Sequence, residues 1–235
     1  MTNAMPTSIT GDVDMNPHGN IRFRYFRNKL DSVSAVVFLF HGRGGNAESV
    51  YEQLGQHLLR EGILIAVPEA KNNCWYPFRF NEPESVNQPW LDSALASIHR
   101  EVSSLVEQGL HSSKLVFGGF SQGSCLAVEY VLRNPKRFGG VFCLSGGVIG
   151  PLGSREPLME EKLQGTPVFF GCADQDEWIP QNKFKESVSL LEQSGADTQF
   201  RVYEDLGHAI CEDELNTVRQ MIDKVCTTHK TAQCA

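Results

Sequence analysis

The sequence predicts an α/β protein built on a mostly parallel sheet, and three observations carry that prediction. Short apolar runs recur along the chain, each followed by a helix-length stretch with apolar residues three or four apart, the pattern of strand–helix alternation. Two of these runs, Ala35–Phe40 (AVVFLF) and Gly140–Leu144 (GVFCL), contain no charged or hydrogen-bonding side chain, as strands buried on both faces require. Glycine-rich turns sit where such strands would hand over to helices, at residues 41–45 and 118–123.

The elements follow in order. Residues 21–26 alternate and read as an antiparallel edge strand; 35–40 is the first buried strand, and Asn46 can cap a helix over 47–60 whose Val50, Leu54, Leu58 and Leu59 share a face. A strand over 63–67 is expected to stop at Pro68. Residues 68–89 have no period and are rich in aromatics (Trp75, Tyr76, Phe78, Phe80), and long loops of this kind are often functional. A helix over 91–107, a strand over 114–117, a helix to about Leu132, a strand over 140–144 and a loop over 145–165 come next. The chain closes with a strand over 168–171, a helix over Gln181–Gln193, a strand over 199–203 and a helix to about Cys226, giving a central sheet of about seven strands with helices on both faces. At 235 residues one core suffices, so a single domain is expected over 21–226, with tails at 1–20 and 227–235. No insertion is long enough to form a separate lid domain.

Charge and composition remove several function classes. With 28 Asp+Glu against 21 Lys+Arg, the net charge of -7 has the wrong sign for a phosphate backbone, so no nucleic-acid partner is expected. No apolar run approaches the roughly 20 residues that span a bilayer, so no stable membrane insertion is expected. The first twenty residues have neither the basic start nor the apolar stretch of a secretory signal. The seven cysteines are odd in number and include no C-x-x-C pair, which fits neither a disulfide framework nor a zinc site. Reduced thiols and a cytoplasmic location follow as expectations, with Cys125 and Cys143 as small buried hydrophobes. A homodimer that buries an exposed rim or edge strand is compatible with the sequence.

Chemistry concentrates at Gly119-Phe120-Ser121-Gln122-Gly123, a G-x-S-x-G match lying between a buried strand and a helix. A tight strand-to-helix turn there projects Ser121 above the sheet, and a hydroxyl needs a base and an orienting acceptor to become a nucleophile. In a parallel sheet both come from loops at the carboxyl ends of other strands. His208, after the strand at 199–203, is the candidate base. Asp176, after the strand at 168–171, is the candidate acid, with Asp174 its main competitor and Asp205 weaker for lying too close to His208 in the chain. His41 reads as a maker of structural hydrogen bonds, and His18, His57, His99, His111 and His229 as surface, tail or helix residues. Backbone N–H groups of Gln122 and of the 41–45 turn, at Arg43, are the candidate oxyanion donors. The Arg43 side chain reads equally as a solvated charge or as a substrate contact. Trp75, Tyr76, Phe78, Phe80, Trp178 and Ile210 are candidates for an apolar acyl pocket.

Taken together, His41-Gly42-Arg43-Gly44-Gly45, the Gly-Phe-Ser-Gln-Gly elbow, Asp176-Glu177-Trp178-Ile179-Pro180 and Leu206-Gly207-His208 resemble the phospholipase/carboxylesterase branch of the α/β-hydrolases, which includes acyl-protein thioesterases. Trp75-Tyr76-Pro77 is similar to that branch's loop after its third strand. The resemblance spans roughly residues 33–222 and implies an α/β-hydrolase fold. It implies Ser121 as nucleophile, Asp176 as acid in preference to Asp174, and His208 as base. Arg43 and Gln122 match the oxyanion positions. The expected activity is hydrolysis of a small-molecule carboxylic ester, or of a thioester, through an acyl-enzyme, with neither metal nor organic cofactor. The alternatives are an acyl-protein thioesterase or lysophospholipase, an acyltransferase with the same triad, and a hydrolase-fold binding protein without turnover.

Overall fold

The computed structural model describes residues 14–27, 33–159 and 162–227. Its strands are β1 (Arg22–Phe26), β2 (Ala35–Phe40), β3 (Ile63–Glu69), β4 (Leu115–Phe120), β5 (Gly140–Leu144), β6 (Pro167–Ala173) and β7 (Asp197–Tyr203). They form one seven-stranded sheet in the order β1-β3-β2-β4-β5-β6-β7, with β1 antiparallel to β3 and every other pair parallel. The helices are α1 (Ala47–Val50), α2 (Gln56–Leu58), α3 (Trp90–Glu107), α4 (Gln122–Arg133), α5 (Gln181–Gln193) and α6 (Glu212–Thr227).

Alternation along β2 distributes the core to both faces. Val36, Phe38 and Phe40 join the cluster containing Leu95 of α3, Leu126 of α4 and Phe184 of α5, whereas Ala35, Val37 and Leu39 pack with Leu54, Val218 and Ile222 on the α6 side. Every β2 residue is buried, which is why its sequence has no polar position. Because β2, β4, β6 and β7 all run parallel, the segments that follow them emerge at one rim of the sheet.

Local differences from the sequence expectation have physical causes. Strand β3 runs through Pro68, which pairs with Phe23 of β1; its ladder to β2 extends only to Ala66, so a residue with no N–H is tolerated beyond that point. The helix expected over 47–60 is split by a π-helical stretch, Tyr51–Gly55. There the Tyr51 ring stacks on Phe26 at 3.8 Å and lies so close to Gly55 that any Cβ would meet it at 2.5 Å. Asn46 caps α1 as expected, accepting from Ser49 N–H in a reciprocal capping box.

His18 is not a surface or tail residue. His18 is buried, and its backbone and ring tie residues 14–20 to the rest of the domain: its N–H donates to Ser93 Oγ, its Nδ1 accepts from Lys71 N–H, and its Nε2 lies 2.9 Å from the Trp75 carbonyl. The first of these ring contacts makes Nδ1 the acceptor and therefore Nε2 the donor. Burial, with Lys71 nearby, holds the His18 ring below the usual histidine range, consistent with the neutral form this pattern needs. His57, His99 and His111 are exposed. Residues 1–13 and 228–235, with His229 among them, lie outside the described residues. Cys125 and Cys143 are buried free thiols, and burial pushes the Cys125 thiol up to about 11. Among the described residues no helix is long and apolar enough to cross a membrane.

Candidate active site

Strand β4 ends at Phe120 and α4 starts at Gln122, leaving Ser121 alone to reverse the chain with φ 56° and ψ -124°. That conformation is strained for a residue with a Cβ, by about 1–3 kcal/mol. The flanking glycines make the turn fit: a Cβ on Gly119 or on Gly123 would lie 2.2 Å from the Phe40 carbonyl oxygen of β2. The strain lifts the Ser121 hydroxyl to the rim, where His208, after β7, meets it with Nε2 2.9 Å from Oγ. His208 Nδ1 lies 2.8 and 3.0 Å from the two Asp176 carboxylate oxygens, after β6. A hydroxyl, an imidazole and a carboxylate from three loops thus form one hydrogen-bonded line.

The surroundings set the charge on that line. The Asp176 carboxylate is inaccessible and the His208 side chain is 16% exposed. Burial works against the Asp176 anion, but the bond from His208 and the backbone N–H of Trp178 outweigh it and hold the carboxyl below its ordinary range. Oδ1 also accepts from Ile179 N–H, so the residues after Asp176 wrap its charge with donors. Asp174 is engaged elsewhere: its Oδ1 accepts from Asp205 N–H at the β6–β7 end. Phe120 closes on His208 with ring centroids 4.7 Å apart.

Gln122 opens α4, so its N–H is among those at the helix start that have no intrahelical acceptor. The 41–45 turn passes close over Ser121; a methyl on Gly42 would stand 3.5 Å from Ser121 Cβ. His41 braces this turn from below, its Nε2 accepting from Ala70 N–H and its ring stacked on Trp75 at 4.7 Å. The Arg43 side chain lines the cleft but is not a free charge. Its guanidinium donates to the carbonyls of Tyr76, Pro77 and Phe78 and to Cys74 Sγ. Gln122 grips the same loop, donating to the Tyr76 carbonyl and accepting from Trp75 N–H. Arg43 and Gln122, on the two segments that flank Ser121, therefore both hold the aromatic loop with their side chains.

A cleft of about 760 Å³ opens at Ser121 and His208. Tyr76, Phe78 and Trp178 line it as expected from sequence, together with Phe80. Trp75 and Ile210 do not. Trp75 is completely buried with its indole N–H on the His41 carbonyl, and Ile210 packs on the α6-side core. Composition marks an aromatic loop but not which ring turns inward, and here Trp75 is the loop's anchor. Sequence reasoning did not identify Val50, Gln53, Phe120 and Cys125, which also face the cleft; only Phe120, inside the elbow motif, carried a local signal. A second hollow, of about 580 Å³, lies at the opposite strand ends, where buried Lys114 donates to the Val225 carbonyl of α6. Among the described residues no group of His, Cys, Asp or Glu side chains is arranged to hold a metal ion.

Glu214, in the first turn of α6, lies beneath the segment that carries His208. Its Oε2 accepts from Cys211 N–H at 2.9 Å, while the buried Oε1 has no partner. Burial, with Asp213 beside it, pushes this carboxyl up to about 7. Because the folded state binds this proton more tightly than the unfolded state, the associated stability is fully present below about 4.5 and is lost as pH rises through about 7. Glu214→Gln is therefore expected to gain on wild type by about 2.5 kcal/mol between pH 5 and pH 8. Urea unfolding at the two pH values checks this; a pH-independent difference would contradict it.

The sheet order and the serine elbow define the α/β-hydrolase fold. Residues 26–226 match the phospholipase/carboxylesterase family model, and the chain belongs to that family of hydrolases acting on ester bonds. The chain is 25% identical over 216 residues to acyl-protein thioesterase 1 of Kluyveromyces lactis, covering 84% of this chain and 94% of that one. It is 26% identical over 213 residues to the Mus musculus lysophospholipase-like protein 1, covering 80% and 86%. The crystal structure of a phospholipase/carboxylesterase from Dyadobacter fermentans superposes with a TM-score of 0.76 at 33% identity, covering 86% of this chain and 96% of that one.

Proposed function

We propose that this protein hydrolyses small-molecule carboxylic esters of short to medium acyl chain, with thioesters as a second leaving-group class, through an acyl-enzyme on Ser121. The observation that carries the reading is the unbroken line of hydrogen bonds from Ser121 Oγ through His208 to Asp176 at the floor of the cleft.

As Oγ attacks the carbonyl carbon, its proton passes to His208 Nε2, while the Asp176 anion holds Nδ1–H and stabilises the imidazolium. The tetrahedral oxyanion is met by the N–H groups of Gln122 and Arg43, each worth about 3–4 kcal/mol in such sites. Collapse expels the alcohol or thiol, which takes the proton from His208. Water then attacks the acyl-enzyme with His208 as base, releasing the acid and restoring the serine. No step calls on a metal or organic cofactor.

Kinetics on matched p-nitrophenyl esters and acyl thioesters from acetyl to palmitoyl test the reading. The expected result is a maximum in kcat/KM at short or medium esters, as a bounded cleft implies. A monotonic rise to palmitoyl thioester would move the reading to a lipid or protein deacylase. No turnover of any member would support binding without catalysis.

A further inference from the structure

Two side chains meet across the mouth of the cleft without a role in the chemistry above. Arg79 comes from the loop after β3 and Trp178 from the segment after β6; both line the cleft, and the Arg79 guanidinium carbon lies 5.0 Å from the centroid of the Trp178 ring. Arg79 is exposed and Trp178 is 47% exposed, so the pair sits at the entrance rather than in the core.

The guanidinium is held but not spent. Elsewhere in the domain Arg24, Arg60, Arg133, Arg155, Arg201 and Arg219 each pair with a carboxylate, and Arg43 and Arg137 donate to backbone carbonyls. Arg79 has no carboxylate within 4.0 Å among the described residues, although Glu82 lines the same cleft and Glu177 adjoins Trp178. A guanidinium seated over a ring and bound to no carboxylate keeps N–H donors available, in the fork that matches a carboxylate or phosphoryl group.

Both supports are braced. The Arg79 carbonyl accepts from Asn87 Nδ2 and from Glu82 N–H, and fully buried Asn87 also accepts from Phe78 N–H. Trp178 donates its backbone N–H to Asp176 Oδ1 and its indole N–H to Glu177. The backbones that carry the pair are thus anchored, Trp178 directly on the carboxylate that bonds His208, which lowers the ordering cost when a ligand arrives.

We infer that Arg79, shelved on Trp178, is a specificity-determining residue that receives an anionic group, a carboxylate or a phosphoryl oxyanion, carried by the substrate away from its scissile carbonyl. The inference rests on the ester-hydrolase reading and deepens it. With Glu82 and Glu177 on the same rim, the mouth has no net positive field to steer anions from a distance. Recognition acts at contact range and is read in KM rather than kcat.

The test compares anionic and neutral members of matched ester pairs in the wild type and in Arg79→Ala and Arg79→Lys. One pair carries the charge on the acyl side (mono-p-nitrophenyl glutarate against p-nitrophenyl valerate), one on the leaving group (4-carboxyphenyl acetate against 4-carbamoylphenyl acetate). A third replaces carboxylate by phosphate (4-acetoxyphenyl phosphate against 4-carbamoylphenyl acetate) and separates the two anion sources. The wild type is expected to favour the anionic member of at least one pair. Arg79→Ala should lower that pair's anionic-to-neutral ratio of kcat/KM about tenfold through KM, with Arg79→Lys in between. Turnover without charge preference, or a ratio unmoved by Arg79→Ala, overturns this inference alone. No turnover of the neutral esters by the wild type overturns the ester-hydrolase reading and this inference with it.

Discussion

Ser121→Ala is expected to lower ester turnover by on the order of 10⁵-fold, with substrate still binding in the cleft. The hydroxyl is the only group removed, and the other hydroxyls and thiol nearby are committed: Ser49 lines the cleft but donates its Oγ to the Asn46 carbonyl, Ser145 is fully buried, and Cys125 faces the cleft as a thiol held protonated by burial. Because the backbone at 121 keeps φ 56° in either residue, the alanine variant should unfold within about 1 kcal/mol of wild type. A companion variant separates strain from chemistry. Ser121→Gly is equally inactive but relieves the left-handed backbone, and is expected to be more stable than Ser121→Ala by about 1–2 kcal/mol. Steady-state kinetics with denaturant unfolding on the three proteins checks both statements; equal stability of the glycine and alanine variants would remove strain from the account of the elbow.

The second large effect is on the fold around the elbow. In Gly123→Ala the new methyl would lie 2.2 Å from the Phe40 carbonyl oxygen and 2.5 Å from that of His41. Both are main-chain atoms at the end of β2, so no side-chain rotation gives relief; α4 must move away from the sheet. Overpacking of this kind typically costs about 1–3 kcal/mol and more where backbone must shift, and we expect about 3 kcal/mol here. The displaced helix start carries Gln122 N–H and Ser121 with it. A misplacement of about 1 Å at reacting groups costs on the order of 10²-fold in rate, so the folded fraction of Gly123→Ala should be impaired by that factor. Chemical unfolding and kcat on the purified variant test the two parts separately.

The strongly patterned features were legible from the sequence because they are local. A run such as AVVFLF has few alternatives to a strand buried on both faces, and a G-x-S-x-G between strand and helix specifies a turn that only glycine flanks permit. Seven strands, one of them an antiparallel edge, follow from counting such runs. What stayed open depends on contacts between residues far apart in sequence. Asp174 and Asp176 both follow β6, and their separation rests on Asp205 N–H occupying one of them. The Arg43 side chain could not be assigned because its acceptors are carbonyls more than thirty residues away. His18 and Trp75 likewise owe their places to distant contacts: His18 Nε2 lies 2.9 Å from the Trp75 carbonyl, and the Trp75 ring stacks on His41. Pro68 ended a strand in the sequence reading because a missing N–H matters only where a partner strand reaches it.

The roles of Ser121, His208 and Asp176 form the central claim, and the most direct measurement is the site of covalent modification by a fluorophosphonate. Only a serine deprotonated by its base attacks phosphorus at a useful rate, so labelling reads nucleophile and base together. The account predicts one adduct, on the peptide containing Ser121, whose formation tracks the loss of ester turnover and is abolished in His208→Ala. Modification of another residue, or ester turnover that continues in protein left unlabelled, would contradict it.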